Sequence, residues 1–224
     1  MKRVNIVLGT DLDRAYIEEI GSVVNNLNLG DKVFYHVLFK DVAIMESLNC
    51  FKDANISVIT KAEDVEKVVN KLHRFRLIVR SEAEFAVMDK FAQELAEGRC
   101  VFEPIYDDND QFFVDNVLLD LEDIRDCKLS KREVFAHIAV NVNYFGILTI
   151  TADGGIYSDL WSEAVGSIER PLGEAIFCEM ERNHLWRRVR DNDVCSQCLY
   201  QWLCPSPFTY EQVMGRKTIC KLYQ

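Results

Sequence analysis

Four of the eight cysteines fall within 26 residues, in the run Cys195-Ser-Gln-Cys198-Leu-Tyr-Gln-Trp-Leu-Cys204-Pro closed by Cys220. Their spacing is C-x2-C-x5-C-x15-C. A thiolate pair two residues apart grips one ion from a single tight turn, and two later thiolates complete a tetrahedron. Four soft sulfur donors suit zinc or an iron–sulfur cluster. Four unrelated core cysteines, or two disulfides, are the alternative. Spaced cysteines in a chain with no secretory segment more often bind metal. The spacing therefore predicts that Cys195, Cys198, Cys204 and Cys220 meet at one point, with sulfurs about 2.3 Å from the ion if it is zinc.

The remaining candidates are weaker. Cys50, Cys100, Cys127 and Cys178 stand alone beside apolar patterns and read as buried structural thiols. His36, His73, His137 and His184 share no ligand spacing. His184, eleven residues before Cys195, is the one plausible substitute ligand. Arg187, Arg188 and Arg190 form a basic cluster just before the metal loop. They either complement a helix C-terminus or damp the charge of a thiolate site or an acidic peptide. Trp186, Tyr200 and Trp202 are expected to keep water from the metal. Asp107-Asp-Asn-Asp110 reads as a solvated turn, with cation binding as the minor reading. No Ser/His/Asp set, P-loop or G-x-G-x-x-G occurs.

Positioning these residues requires two kinds of structure. Residues 1–128 alternate strand-like and helix-like patterns. Val4–Leu8, Val33–Phe39, Ile56–Ile59, Phe75–Val79 and Val101–Tyr106 read as strands. Helical spacing marks Tyr16–Leu27, a short stretch from about Asp41 to Phe51, Val65–Leu72, and a segment opened by Ser81 with Glu84 three residues on. Phe112–Leu121 reads as a further helix and Glu122–Lys128 as a linker. Five βα units imply a parallel sheet with right-handed crossovers, either doubly wound or a piece of a barrel. From about Ser130 the pattern changes. Val140–Thr151 is strand-like, Asp153-Gly154-Gly155 signals a hairpin, and Pro171 opens a helix running to about Arg187. The expected division is a βα domain, 1–128, and a small cysteine-rich domain, 129–224.

The wording around the cysteines carries a resemblance. CSQCLYQWLCPSPFTYE followed by GRKTIC resembles the end of a SPASM domain, the cysteine-rich tail of radical-SAM peptide-modifying enzymes. Thr149-Ile-Thr-Ala-Asp-Gly-Gly-Ile-Tyr157 and Pro171-Leu-Gly-Glu resemble the hairpin of that domain and the segment after it. The nearest likeness is to the pseudo-radical-SAM proteins that accompany Gly-Gly leader peptides in Bacteroidales peptide maturation. It is strong over roughly residues 144–224 and weak before.

The resemblance implies that the βα units are part of a radical-SAM-like partial barrel. It also implies that Cys195, Cys198, Cys204 and Cys220 hold a second auxiliary four-iron cluster (4Fe–4S). The first auxiliary cluster has no counterpart, because Phe208 stands at one ligand position and Tyr157-Ser-Asp159 supplies no cysteine. The C-x3-C-x2-C motif of SAM cleavage is absent too, which implies a shortened relative or part of a longer protein. The expected role is accessory: binding a precursor peptide or a partner radical-SAM maturase, with strand addition at the sheet edge or at the hairpin near Tyr144–Tyr157. Two other readings stay open. One is the C-terminal part of an active peptide-modifying oxidoreductase, and the other is a zinc-stapled interaction module.

Composition narrows the class. A chain of 224 residues, 49% of them hydrophobic, buries one large or two modest cores. A net charge of −10 and a pI near 5.0 argue against a nucleic-acid or anionic-membrane binder. No apolar run is long enough for a signal core or a membrane span, so a cytoplasmic protein is expected.

Overall fold

A computed structural model describes residues 3–7, 33–42, 55–160, 162–182 and 185–223. The helices expected at 16–27 and in most of 41–51, with Cys50 and His184, lie outside these residues. The chain divides into two compact units. One comprises Met1–Ile105 and Ile147–Glu181, the other Tyr106–Gly146 and Arg182–Gln224. The expected boundary at 128/129 falls inside the second unit. There Leu119 N–H donates to the Ile219 carbonyl, and Lys221 N–H donates back to Leu119. These bonds tie the residues before 128 to the cysteine-bearing tail.

The first unit is a mixed α/β layer. β1 (Arg3–Val7), β2 (Val33–Leu38), β3 (Asn55–Thr60), β4 (Arg74–Val79) and β5 (Cys100–Pro104) are parallel neighbours in chain order. β6 (Ile147–Ile150) joins the other side of β1 in parallel, and β7 (Gly155–Tyr157) and β8 (Gly166–Ser167) continue antiparallel. The β6–β7 hairpin follows the Asp-Gly signal. Gly154 takes a φ of 81°, which a residue with a Cβ rarely adopts.

Alternation sets the two faces of the sheet. Val4, Ile6, Tyr35, Val37, Val58, Phe75, Leu77, Leu148, Ile150 and Ile156 are buried on one face. Helix α1 (Glu82–Gln93) covers it at one end, where Phe91 meets Phe75 edge-on at 5.2 Å. Ser81 caps α1, accepting from Glu84 N–H. A second helix, Leu172–Arg182, covers the same face at the other end. It comes so close to β8 that a Cβ on Gly166 would lie 2.9 Å from the Ala175 Cβ. The opposite face carries Asn5, His36, Ser57, Arg76, Glu103 and Thr149 by register. His36 Nε2 and Asn5 Oδ1 are 3.0 Å apart, and Arg76 pairs with Glu103.

Several local expectations change. Val65–Leu72 is not a helix face: a 3-10 turn spans Ala62–Lys67, and Val69 and Leu72 are exposed. β-branched Val65, Val68 and Val69 are poor helix formers, and the Asn70 side chain accepts from Leu72 N–H to form a local turn. The expected strand Val140–Thr151 is extended only at β6. The helix expected to reach Arg187 is described over Leu172–Arg182, and Leu185–Arg187 is a 3-10 turn instead. The hairpin cannot accept an added strand, because β6 lies between β1 and β7, and β7 between β6 and β8. Among the described strands, β5 and β8 are the edges. No helix of the described residues is long and apolar enough to cross a membrane.

Candidate metal centre

The second unit begins with short helices. In chain order after α1 these are α2 (Asp110–Asn116), α3 (Leu121–Asp126) and α4 (Lys131–Ala139). The helix Leu172–Arg182 is α5, and α6 is Thr209–Val213. α3 replaces the expected linker. Asp120 accepts from Glu122 and Asp123 N–H while Asp123 accepts from Asp120 N–H, a reciprocal cap that starts a helix directly after Leu119. α3 places Ile124 against Cys204 and Cys220, with Leu119, Tyr200 and Leu203 around them. The Tyr200 hydroxyl accepts from Arg125 on the same helix.

The cysteine loop is fixed by its own polar residues. The Asn192 side-chain oxygen accepts from Cys195 N–H at 2.8 Å and Val194 N–H at 3.1 Å. Cys198 N–H donates to the Cys195 carbonyl at 3.0 Å, closing the tight C-x2-C turn. Cys204 N–H returns to the Tyr200 carbonyl. The 15-residue excursion is then drawn back. Asn192 Nδ2 donates to the Lys217 carbonyl, Lys217 Nζ pairs with Asp193 at 2.7 Å, and Thr218 Oγ1 donates to Cys220 Sγ at 3.2 Å. The turn after α4 latches the Pro205–Thr209 loop. Asn141, fully buried, donates from Nδ2 to the Arg188 and Pro207 carbonyls, each at 3.0 Å, and Asn143 donates to the Ser206 carbonyl. This is why Val140–Thr151 is not one strand: two asparagine side chains hold loop carbonyls instead of a ladder.

Arg190 threads the same loop. Its Nε donates to the Pro205 carbonyl at 2.5 Å and its Nη1 to Glu211 at 2.6 Å, and its own carbonyl accepts from Gln201. Glu211 also accepts from Phe208 N–H at the start of α6. Burial works against the Arg190 charge. The Glu211 carboxylate, with the Cys195 and Cys204 thiols, outweighs it and raises the guanidinium pKa, so Arg190 stays charged.

Cys204 and Cys220 pack together against Ile124, and Cys195 and Cys198 close one tight turn of the same loop. Three are buried and Cys198 is partly so. Burial pushes the Cys204 thiol up to about 11; Arg190 pulls it down, and the other three thiols add to the rise. Among the described residues no group of three or more His, Cys, Asp or Glu is arranged to hold a metal ion. As a donor set, four thiols on one loop and its return fit a thiophilic cation or an iron–sulfur cluster.

The chain matches no family model, no curated protein and no solved structure. The site is therefore read from its own residues. Arg190 lies within it, whereas Arg187 rests on the Trp186 ring and Arg188 is exposed. Tyr200 does flank the cysteines. Trp186 packs on Phe145. Cys127 is exposed and Cys100 and Cys178 are half-buried, so none is the buried core thiol expected. The Asp107–Asp110 stretch is a turn: Asp108 has a φ of 66°, Asn109 accepts from Asp107 N–H, and Asp110 accepts from the Tyr106 hydroxyl. Sequence reasoning missed Glu211, Asn141, Asn192 and Thr218. Glu211 stands in the quoted wording, but nothing in the spacing pairs it with an arginine 21 residues earlier.

Proposed function

We propose that this chain is an accessory, pseudo-radical-SAM protein of cytoplasmic ribosomal peptide maturation. On this reading Cys195, Cys198, Cys204 and Cys220 hold one 4Fe–4S cluster, and the chain binds a precursor peptide or a partner maturase. The observation that carries the reading is the packing of Cys204 with Cys220 against Ile124, next in the chain to the tight Cys195–Cys198 turn, in a loop locked by Arg190 and Glu211. Four protein thiolates saturate a four-iron cluster, so SAM has no open iron to bind. The cluster, when bound, supplies one-electron chemistry or a structural staple. The chain's own residues do the rest. Asn192 orients the Cys195–Cys198 turn, Thr218 orients the Cys220 sulfur, and Tyr200 with Leu203 keeps water from the thiols.

The sheet supports the companion reading of a partial barrel. Its first five strands add in chain order without reversal, and both helices that can be followed onto the sheet cover one face. An extended peptide would add at β5, an edge strand with exposed Val101.

The test is anaerobic reconstitution of the full chain with ferrous iron and sulfide. Near four irons and four sulfides per chain, with visible charge-transfer absorption lost in Cys198→Ser, is the expected result. Stoichiometric zinc with no iron uptake selects the zinc-stapled module instead. Release of 5′-deoxyadenosine from SAM above the Cys198→Ser background overturns the accessory reading.

A further inference from the structure

Arg190 has donors left over. Its side chain is 2% exposed. Nε is satisfied by Pro205 and Nη1 by Glu211, while Nη2, equally buried, has no hydrogen-bond partner among the described residues. Buried charged donors are almost always satisfied, so an orphan of this kind requires an explanation. The guanidinium is planar, and Nη2 lies on the same side as Nε–H. That side faces the carbonyl of Pro205, the residue directly after Cys204. Nη2 is therefore turned toward the loop that carries the thiols, and Glu211 fixes the fork from its other end.

We infer that Arg190 donates from Nη2 to a sulfur of the bound iron–sulfur cluster and sets its reduction potential. This rests on the four cysteines being cluster ligands. A fixed positive charge and an N–H donor both favour the state carrying the extra electron, because each stabilises the more negative sulfurs. In the step concerned the cluster takes one electron from an external low-potential reductant; no bond forms or breaks and no proton is required. Glu211 is the positioning residue: it holds the fork so that Nη2 is presented.

The experiment is potentiometric titration of the anaerobically reconstituted full chain with dithionite as the reductant. The double variant Arg190→Gln/Glu211→Gln removes the charge without orphaning its counter-ion. Its one-electron reduction constant should fall about tenfold against wild type, a shift of about 59 mV to more negative potential. An unchanged potential at unchanged iron and sulfide content overturns the inference and leaves the site assignment standing. Failure of the wild-type chain to take up iron and sulfide overturns both. A second measurement covers a double variant that does not fold. Wild-type protein labelled with guanidino-15N arginine should show 15N hyperfine coupling in its reduced, paramagnetic state. Absence of that coupling overturns the inference.

Discussion

Glu211 and Arg190 face each other at 2.6 Å with both side chains only 2% exposed. In such a place the attraction within the pair matters less than the cost of losing one member. Glu211→Ala leaves the guanidinium charged and buried, and should cost about 3–5 kcal/mol, read as a lower urea midpoint of the metal-free chain. The thiol of Cys204 makes a second prediction. Its pKa is raised by burial from an ordinary 9.0 to about 11. A group whose pKa is higher folded than unfolded contributes stability fully present below the unfolded value and lost as pH rises through the folded one. The metal-free chain should therefore lose stability between about pH 9 and 11, and Cys204→Ala should flatten that decline in pH-dependent unfolding. At this scale the tight Cys195–Cys198 turn was legible because C-x2-C spacing is a local signal. Glu211 and Asn141 were not, since a partner 21 or 66 residues away leaves no periodic trace.

Elements were legible where pattern and cap agreed. Ser81 with Glu84 marked α1 and Asp153-Gly154 marked the hairpin, because both devices act within four residues. The parallel order of β1 to β5 followed from apolar runs alternating with helical ones. The sheet's second growth direction, through β6, was hidden: strand pairing between Arg3 and Ile147 is a tertiary fact. α3 was read as a linker because its apolar face is short. The cap at Asp120 creates it nonetheless, so Asp120→Ala should cost about 1 kcal/mol. It should also raise amide exchange at Leu119 and Lys221, whose bridge begins at the foot of that helix. At the sheet's other end Gly166→Val should cost about 1–3 kcal/mol by calorimetry, because the new side chain meets Ala175 on α5 where a bare Cβ already stands at 2.9 Å.

As a whole the molecule is two units braided along one chain, which passes between them at 105/106, 146/147 and 181/182. Composition foretold the capacity for two cores but not the braid, since the patterns on either side of residue 128 differ more than those at the true crossings. All four cysteines of the proposed metal site belong to the second unit. Cys220→Ser should therefore lower metal content and raise hydrogen exchange over 119–126 and 192–223 while β1 to β5 keep their protection. The braid also has a consequence in time. The bonds that close the second unit, Asn141 to Pro207 and Arg125 to Tyr200, span 66 and 75 residues. Between their two ends the chain must lay down a strand, a hairpin and a helix that belong elsewhere. Contacts of that separation form slowly, because the entropy of a long closure is lost before any contact compensates it. The first unit is under the same constraint, since its β1–β6 pairing joins Arg3 to Ile147. Neither unit can therefore be completed from one contiguous stretch: each waits for residues that are made only after a segment of the other.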